Sequence, residues 1–175
     1  MNIFVAGIHG VGKTYLSSQL PAGSGLKHTS ASKLIKEERE LPEWSSNKRV
    51  SNVDENQVAL AAAVSRYNAS GSALLLDGHF VLLSSDGEFL PLGANVFRSL
   101  NLTAILLIEA DPDEIARRIA DRDGLQRDAG WLTSFMAKER AQAEAVCFEL
   151  DLPLRILSSP NYGEFAGAVD LALTR

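Results

Sequence analysis

Short apolar runs recur along the chain, each followed by a stretch with helical spacing. Ile3 to Ala6 form the first run, with a β-branched bias, and Ala73 to Leu76 and Thr103 to Ile108 are two more. Continuous apolar runs of this length, set between turn signals, predict strands buried on both faces. Leu26 to Thr29 and Leu154 to Leu157 predict two shorter strands. The stretches between them predict helices. Tyr15 to Leu20 follows a glycine-rich turn, and Ser30 is a candidate cap for a helix over about 31–40. Asp54, with Gln57 three residues on, resembles a capping box for a helix reaching about Asn68. A short helix is predicted near Asn95 to Leu100. Asp111-Pro112-Asp113-Glu114 supplies a cap residue, proline at the first helical position and acids in the first turn, so a helix begins there. Leu132, Phe135, Met136, Ala143, Val146, Cys147 and Leu150 repeat at helical spacing in a long helix, and about 160–173 predict a terminal one.

Three segments stand outside this alternation. Phe80 to Leu83 and Glu88 to Leu92 flank Ser84-Ser85-Asp86-Gly87, and an Asp-Gly turn between apolar runs predicts a β-hairpin set apart from the main sheet. Residues 42–52 are polar and irregular, and about 121–130 are charged with two glycines, which predicts a loop between helices. The strand–helix alternation implies an α/β fold: one parallel sheet of about five strands, covered on both faces by helices. No internal repeat or linker divides residues 1–175, so a single domain is expected.

Composition narrows the class. With 46% hydrophobic and 22% charged residues the chain suits a folded globular protein. Seventeen Lys and Arg against 22 Asp and Glu leave a net charge of −5, which argues against generic nucleic-acid binding. The single Cys147 offers no internal disulfide and no zinc site, and fits a reducing cytoplasm. Met1 to Ala6 is too short for a signal sequence and no run approaches a membrane span, so no membrane association is expected.

The strongest chemical signal is Gly7-Ile8-His9-Gly10-Val11-Gly12-Lys13-Thr14, a complete G-x-x-x-x-G-K-T Walker A pattern between a predicted strand and a predicted helix. Its glycines let backbone N–H groups turn toward a phosphate, Lys13 reaches the β and γ oxygens, and the Thr14 hydroxyl is a ligand for Mg²⁺. Gly7, His9, Gly10, Val11, Gly12, Lys13, Thr14 and Tyr15 are the candidate ATP-binding residues. Asp77 ends an apolar strand, at the sheet edge where ligands of open α/β folds bind, and is a second candidate for Mg²⁺. His79 follows it.

Arg117, Arg118, Arg122, Arg127 and Arg140 cluster around the charged loop at about 121–130. Arginines on a movable lid neutralise a transferred phosphoryl group only when the site closes. Interleaved acids leave two or three of the five as solvated partners. Region 30–70 carries Ser30, Lys33, Lys36, Arg39, Lys48 and Arg49, where a second substrate's phosphate could be held. Glu139 falls on the otherwise apolar stripe of the long helix, either paired with an arginine or exposed.

These motifs together resemble adenylate kinases of the archaeal type. The matching order is the glycine loop, Asp77-Gly78-His79, the hairpin 80–92, Val96 to Asn101, Ile105 to Glu109, Asp113-Glu114-Ile115, Arg117-Arg118 and Arg127-Asp128, which spans most of the chain. Ser24 to His28, Leu34 to Glu38 and Asp54-Glu55 are also similar to the nuclear adenylate kinase/ATPase family with its Asp-x-His motif. Both are P-loop nucleoside-monophosphate kinase folds, three-layered α/β/α. The resemblance implies ATP on residues 7–14, Mg²⁺ near Thr14 and Asp77, and catalytic roles for Lys13, Asp77, Arg118, Arg122 and Arg127. It places Arg49 at the acceptor phosphate, with Ser30, Lys33, His79 and Arg140 as further substrate-binding candidates, and homo-oligomers occur among such relatives. His9 departs from the proline many of these kinases carry, and Asp121, Asp123 and Asp128 oppose the lid arginines. The expected activity is Mg-ATP-dependent transfer to a nucleoside monophosphate, AMP first. The alternatives are an ATPase that remodels a protein or ribonucleoprotein partner, a nucleotide-dependent binding switch, and a kinase of a sugar or shikimate-like acceptor.

Overall fold

The computed structural model describes residues 1–21, 23–41, 52–84 and 86–174. The five strands are β1 (Asn2–Ala6), β2 (Leu26–Ser30), β3 (Ala73–Asp77), β6 (Leu102–Glu109) and β7 (Leu154–Ser158). They form one sheet in the order β2-β3-β1-β6-β7, every neighbouring pair parallel. The expected parallel α/β architecture is therefore present. β1 lies at the centre and all five of its residues are buried, which is why it reads as a continuous apolar run. β2, at an edge, is mostly only partly buried.

Successive side chains on these strands point to opposite faces, and each face builds its own core. Ile3, Val5, Leu106 and Ile108 join Leu16 of α1 (Lys13–Ser18), Ile115 and Ile119 of α5 (Pro112–Asp123), and Phe165 of α7 (Tyr162–Leu173). Phe4, Ala6, Leu74, Leu76 and Ile105 join Leu34 of α2 (Ala31–Arg39), Leu60 and Val64 of α3 (Asn52–Ala69), and Phe97 of α4 (Ala94–Arg98). The long α6 (Ala129–Leu150) contributes to both cores. Leu132 and Phe135 from its first half enter the first core, and Ala143, Val146 and Cys147 from its second half enter the other. Glu139 sits where the helix changes cores, and this explains an acid on a buried stripe.

β4 (Val81–Leu83) and β5 (Phe89–Pro91) pair antiparallel as the expected hairpin, separate from the main sheet. Phe89 packs on Trp131 and Phe135 of α6, while Phe80, at its base, stacks on Phe97 and meets Phe4 edge-on. The hairpin is thus anchored at both ends.

Two boundaries differ from the sequence expectation. α5 runs through Asp123 to a left-handed Gly124, and the Asp128 carboxylate caps α6 by accepting from the Trp131 N–H, so the connecting loop is 124–128 instead of 121–130. Gly at a helix end and Asp at a helix start outweighed the charge density that suggested a longer loop. α3 begins at Asn52, which places Asp54 inside its first turn, where an acid favours the helix dipole, and not at the cap. No helix among the described residues is long and apolar enough to cross a membrane.

Candidate active site

The segment after β1 turns at the carboxyl end of the central strand, where Gly12, with φ 102°, caps α1. Left-handed backbone at this position favours glycine and brings the loop's N–H groups around toward the helix start. Lys13 follows and is only 6% exposed. Its Nζ donates to the carbonyl oxygens of Gly7 and Ile8 and lies 3.8 Å from Asp77 Oδ1. Burial pushes the Lys13 pKa down, and Asp77 and Glu139 pull it back up.

Asp77 ends β3 beside Val5 of β1, 7% exposed. Thr14 Oγ1 donates to Asp77 Oδ2 at 2.8 Å. Two hard oxygen groups, one hydroxyl and one carboxylate, therefore stand together against the P-loop lysine. That donor set fits Mg²⁺, which takes one or two protein oxygens and completes its shell with phosphate and water.

From α5, Arg118 donates to the carbonyls of Gly10 and Val11, both at 3.3 Å, and pairs with Glu114. Arg122 donates to His9 Nε2 and to Asp123, at 2.7 Å in the latter case. Burial, and then the Arg122 charge, lower the His9 pKa, and its Nε2 also lies 3.4 Å from Asp123 Oδ2. Both arginines are thus parked on the P-loop itself. His79 reaches the cleft after Gly78. Burial, helped by the charges of Lys13 and His9, pushes its pKa down to about 3, and its Nδ1 has no hydrogen-bond partner at 4.0 Å from Glu139.

This depressed histidine predicts a pH effect. Below pH 6.5 the unfolded chain takes up a proton that folded His79 declines until about pH 3, so His79 costs stability progressively as pH falls through that window. Glu139, whose pKa is raised by burial, acts in the opposite sense, so the His79 contribution is isolated by substitution. We expect His79→Gln to lose less melting temperature than the wild type between about pH 7 and pH 5. Identical slopes in a thermal-melt series would contradict the assignment.

The cleft these groups line has a volume of about 1110 Å³, more than one drug-sized ligand requires. On one side of Lys13 it is bounded by Arg118, Arg122 and the segment 159–162 after β7. α2, α3, the hairpin and α4 line the rest of it, its second lobe, with Ile35, Leu60, Leu82, Leu92, Val96 and Phe97 and with the polar groups of Ser30, Ser32, Asn56 and Gln57, the Asn56 Oδ1 accepting from Arg39 at 2.8 Å. Of the sequence candidates, His9 to Tyr15, Ser30, Asp77, His79, Arg118 and Arg122 all line it. Gly7, which opens the loop, does not line the cleft. Lys33 pairs with Glu37 at 3.9 Å, Arg127 lies over the Trp131 ring, and Arg140 pairs with Glu109, all away from the cleft wall. Lys48 and Arg49 lie outside the described residues.

Three features escaped the sequence reading. Asn56 gave no motif, and Gln57 was read only as the partner of Asp54 in a capping box. The segment 159–162 follows a strand's carboxyl end, the one signal that pointed to it. Glu139 was visible as a misplaced acid, but what it contacts was not: it accepts from three backbone N–H groups.

Fold and site together define a nucleotide-binding, P-loop kinase-like protein. Residues 6–133 match the AAA domain family, and the chain belongs to that family. Comparison with curated proteins finds no match. Among solved structures, a sugar kinase from Janibacter sp. HTCC2649 superposes with TM-score 0.60 at 17% identity, over 99% of this chain and 94% of that one. A kinase-like protein from Chloroflexus aurantiacus gives 0.56 at 19% identity, over 98% and 97%. A gluconokinase from Sinorhizobium meliloti 1021 gives 0.54 at 16% identity, over 99% and 94%. At these identities the likeness is one of fold.

Proposed function

We propose that the protein transfers the γ-phosphoryl group of Mg-ATP to a nucleoside monophosphate, AMP first among them. The observation that carries this reading is the second lobe of the cleft: a largely apolar slot with amide groups of Asn56 and Gln57 at its wall. A flat nucleobase buries its faces against such walls and offers its edge to the Gln57 amide and to the NH₂ of Asn56, whose Oδ1 already accepts from Arg39 at 2.8 Å.

In this reading the P-loop N–H groups cradle the ATP phosphates and Lys13 leaves the Gly7 and Ile8 carbonyls for the β/γ oxygens. Bound Mg²⁺, held through Thr14 and Asp77, supplies charge neutralisation at the phosphates. Arg118 and Arg122 turn from the P-loop carbonyls and His9 to the transferring group. Arg127 enters if the 124–128 loop closes; Ser30, Arg49 and His79 remain proposed acceptor-side residues, and Lys33 and Arg140 would join them only by leaving Glu37 and Glu109. A monophosphate oxygen is already ionised, so alignment and charge carry the rate and no strong general base is needed.

Arg118→Ala is expected to lower kcat by about 10² while changing the KM for ATP less than threefold, because its work falls in the transition state. A proportional rise in KM with unchanged kcat would instead make it a ground-state anchor. The reading itself is tested with a bisubstrate probe, two adenosines joined by five phosphates. Calorimetric titration is expected to give one site per chain and an affinity at least about 100-fold above that of ATP. Affinity no better than that of ATP would turn attention to a non-nucleotide acceptor, such as those of the sugar kinase and gluconokinase neighbours.

A further inference from the structure

Glu139 is a carboxylate buried to 1% exposure in the middle of α6, outside the cleft wall. Its Oε1 accepts from the N–H of Gly7 at 3.2 Å and of Phe80 at 2.9 Å, and its Oε2 accepts from Val81 at 2.8 Å. The first of these donors opens the P-loop. The other two open the hairpin that follows Asp77 and His79 and whose Leu82 walls the acceptor lobe. Gly7 and Phe80 lie just outside β1 and β4, and Val81 opens β4; all three turn their N–H groups to the Glu139 carboxylate.

We infer that Glu139 is a positioning residue, which fixes the ATP-side loop and the acceptor-side loop to one carboxylate and so holds the two substrates in register for transfer. This inference rests on the phosphotransferase reading above. The cost of burying a carboxylate supports it, because an apolar residue at a helix crossing would be cheaper unless these three donors must be held together. One oxygen shared by Gly7 and Phe80 sets the separation of the two loops directly, and displacement of reacting groups by about 1 Å can cost about 10² in rate. The neighbouring Arg140 extends the brace: it pairs with Glu109, whose carbonyl accepts from Ser159 N–H at 2.7 Å, on the nucleotide side of the cleft.

Glu139→Gln keeps the shape but turns an amide NH₂ toward one of the three donors. With Mg-ATP and AMP, the expected result is a fall in kcat of at least about 10-fold, with both KM values within about threefold of wild type. A folded variant with kcat within about twofold of wild type would reduce Glu139 to a structural role and overturn the proposal. A wild type inactive toward AMP would sink the phosphotransferase reading, not the brace, which has its own measurement in the intact wild-type protein. The groups facing Glu139 are Lys13 and His79, with Asp77 beyond Lys13. In a ¹H–¹⁵N pH titration the amides of Gly7, Phe80 and Val81 are expected to shift together, with one midpoint above the ordinary glutamate range, as burial of Glu139 dictates. Different midpoints for the three amides would overturn it even if the glutamine variant failed to fold.

Discussion

Lys13→Ala is expected to abolish phosphoryl transfer, lowering kcat by about 10³ or more. Among the described residues the ammonium is the one lysine charge lining the cleft, and it is pre-positioned: two loop carbonyls and Asp77 hold it where phosphate oxygens would arrive. Those contacts are weak competitors for a polyphosphate, so Lys13 exchanges partners without moving far. Removing it also leaves Asp77 without its buried cation, although Thr14 still donates to that carboxylate. The variant should therefore fold with lowered stability, and a Mg-ATP turnover assay on folded protein checks the claim. Retention of most of the activity would remove the P-loop from the mechanism.

Gly7→Ala should produce the largest loss of stability from a single methyl group. Gly7 has φ +139°, a conformation that L side chains rarely adopt. A Cβ there would lie 2.3 Å from the carbonyl oxygen of Ile108 and 3.0 Å from the Val11 side chain. Ile108 is held in β6 between two other strands, so its backbone cannot retreat cheaply. Any shift of Gly7 would also disturb its N–H bond to Glu139. The expected cost is about 3 kcal/mol or more, read as a lower denaturant midpoint at unchanged m. A cost below about 0.5 kcal/mol would mean that the loop has an alternative path the structure does not show.

The parts of the fold that were legible are those whose burial is uniform. β1, β3 and β6 are apolar because both of their faces are covered, and Asp77 stands out at the end of β3 for the same reason. The Asp111-Pro112 start of α5 was equally plain, since the Asp111 carboxylate accepts from the Asp113 and Glu114 N–H groups as the sequence implies. α6 was harder. Its apolar residues serve two cores in succession, so a single stripe does not describe it, and the meaning of Glu139 at the changeover needed the third dimension. The acceptor lobe was illegible for another reason: Ser32, Asn56, Leu92 and Phe97 come from four separated segments, and the local patterns at Leu92 and Phe97 mark a hairpin and a helix, not a shared wall.

The arginine cluster divides, as its interleaved acids implied. Arg118 and Arg122 lie one turn apart on α5 and both face the cleft. Arg127 and Arg140 belong to the same cluster in sequence, yet they are occupied by Trp131 and Glu109. Neighbouring acids and aromatics decided the outcome, and their pairing depends on contacts 31 residues apart in the case of Arg140 and Glu109.

The most direct test of phosphoryl transfer to a nucleoside monophosphate is a Mg-ATP assay across AMP, CMP, GMP, UMP and their deoxy forms, with nucleoside diphosphate and free phosphate measured separately. The predicted result is acceptor-dependent diphosphate formation, strongest with AMP, with little free phosphate. Phosphate release indifferent to every acceptor would contradict it and identify an ATPase.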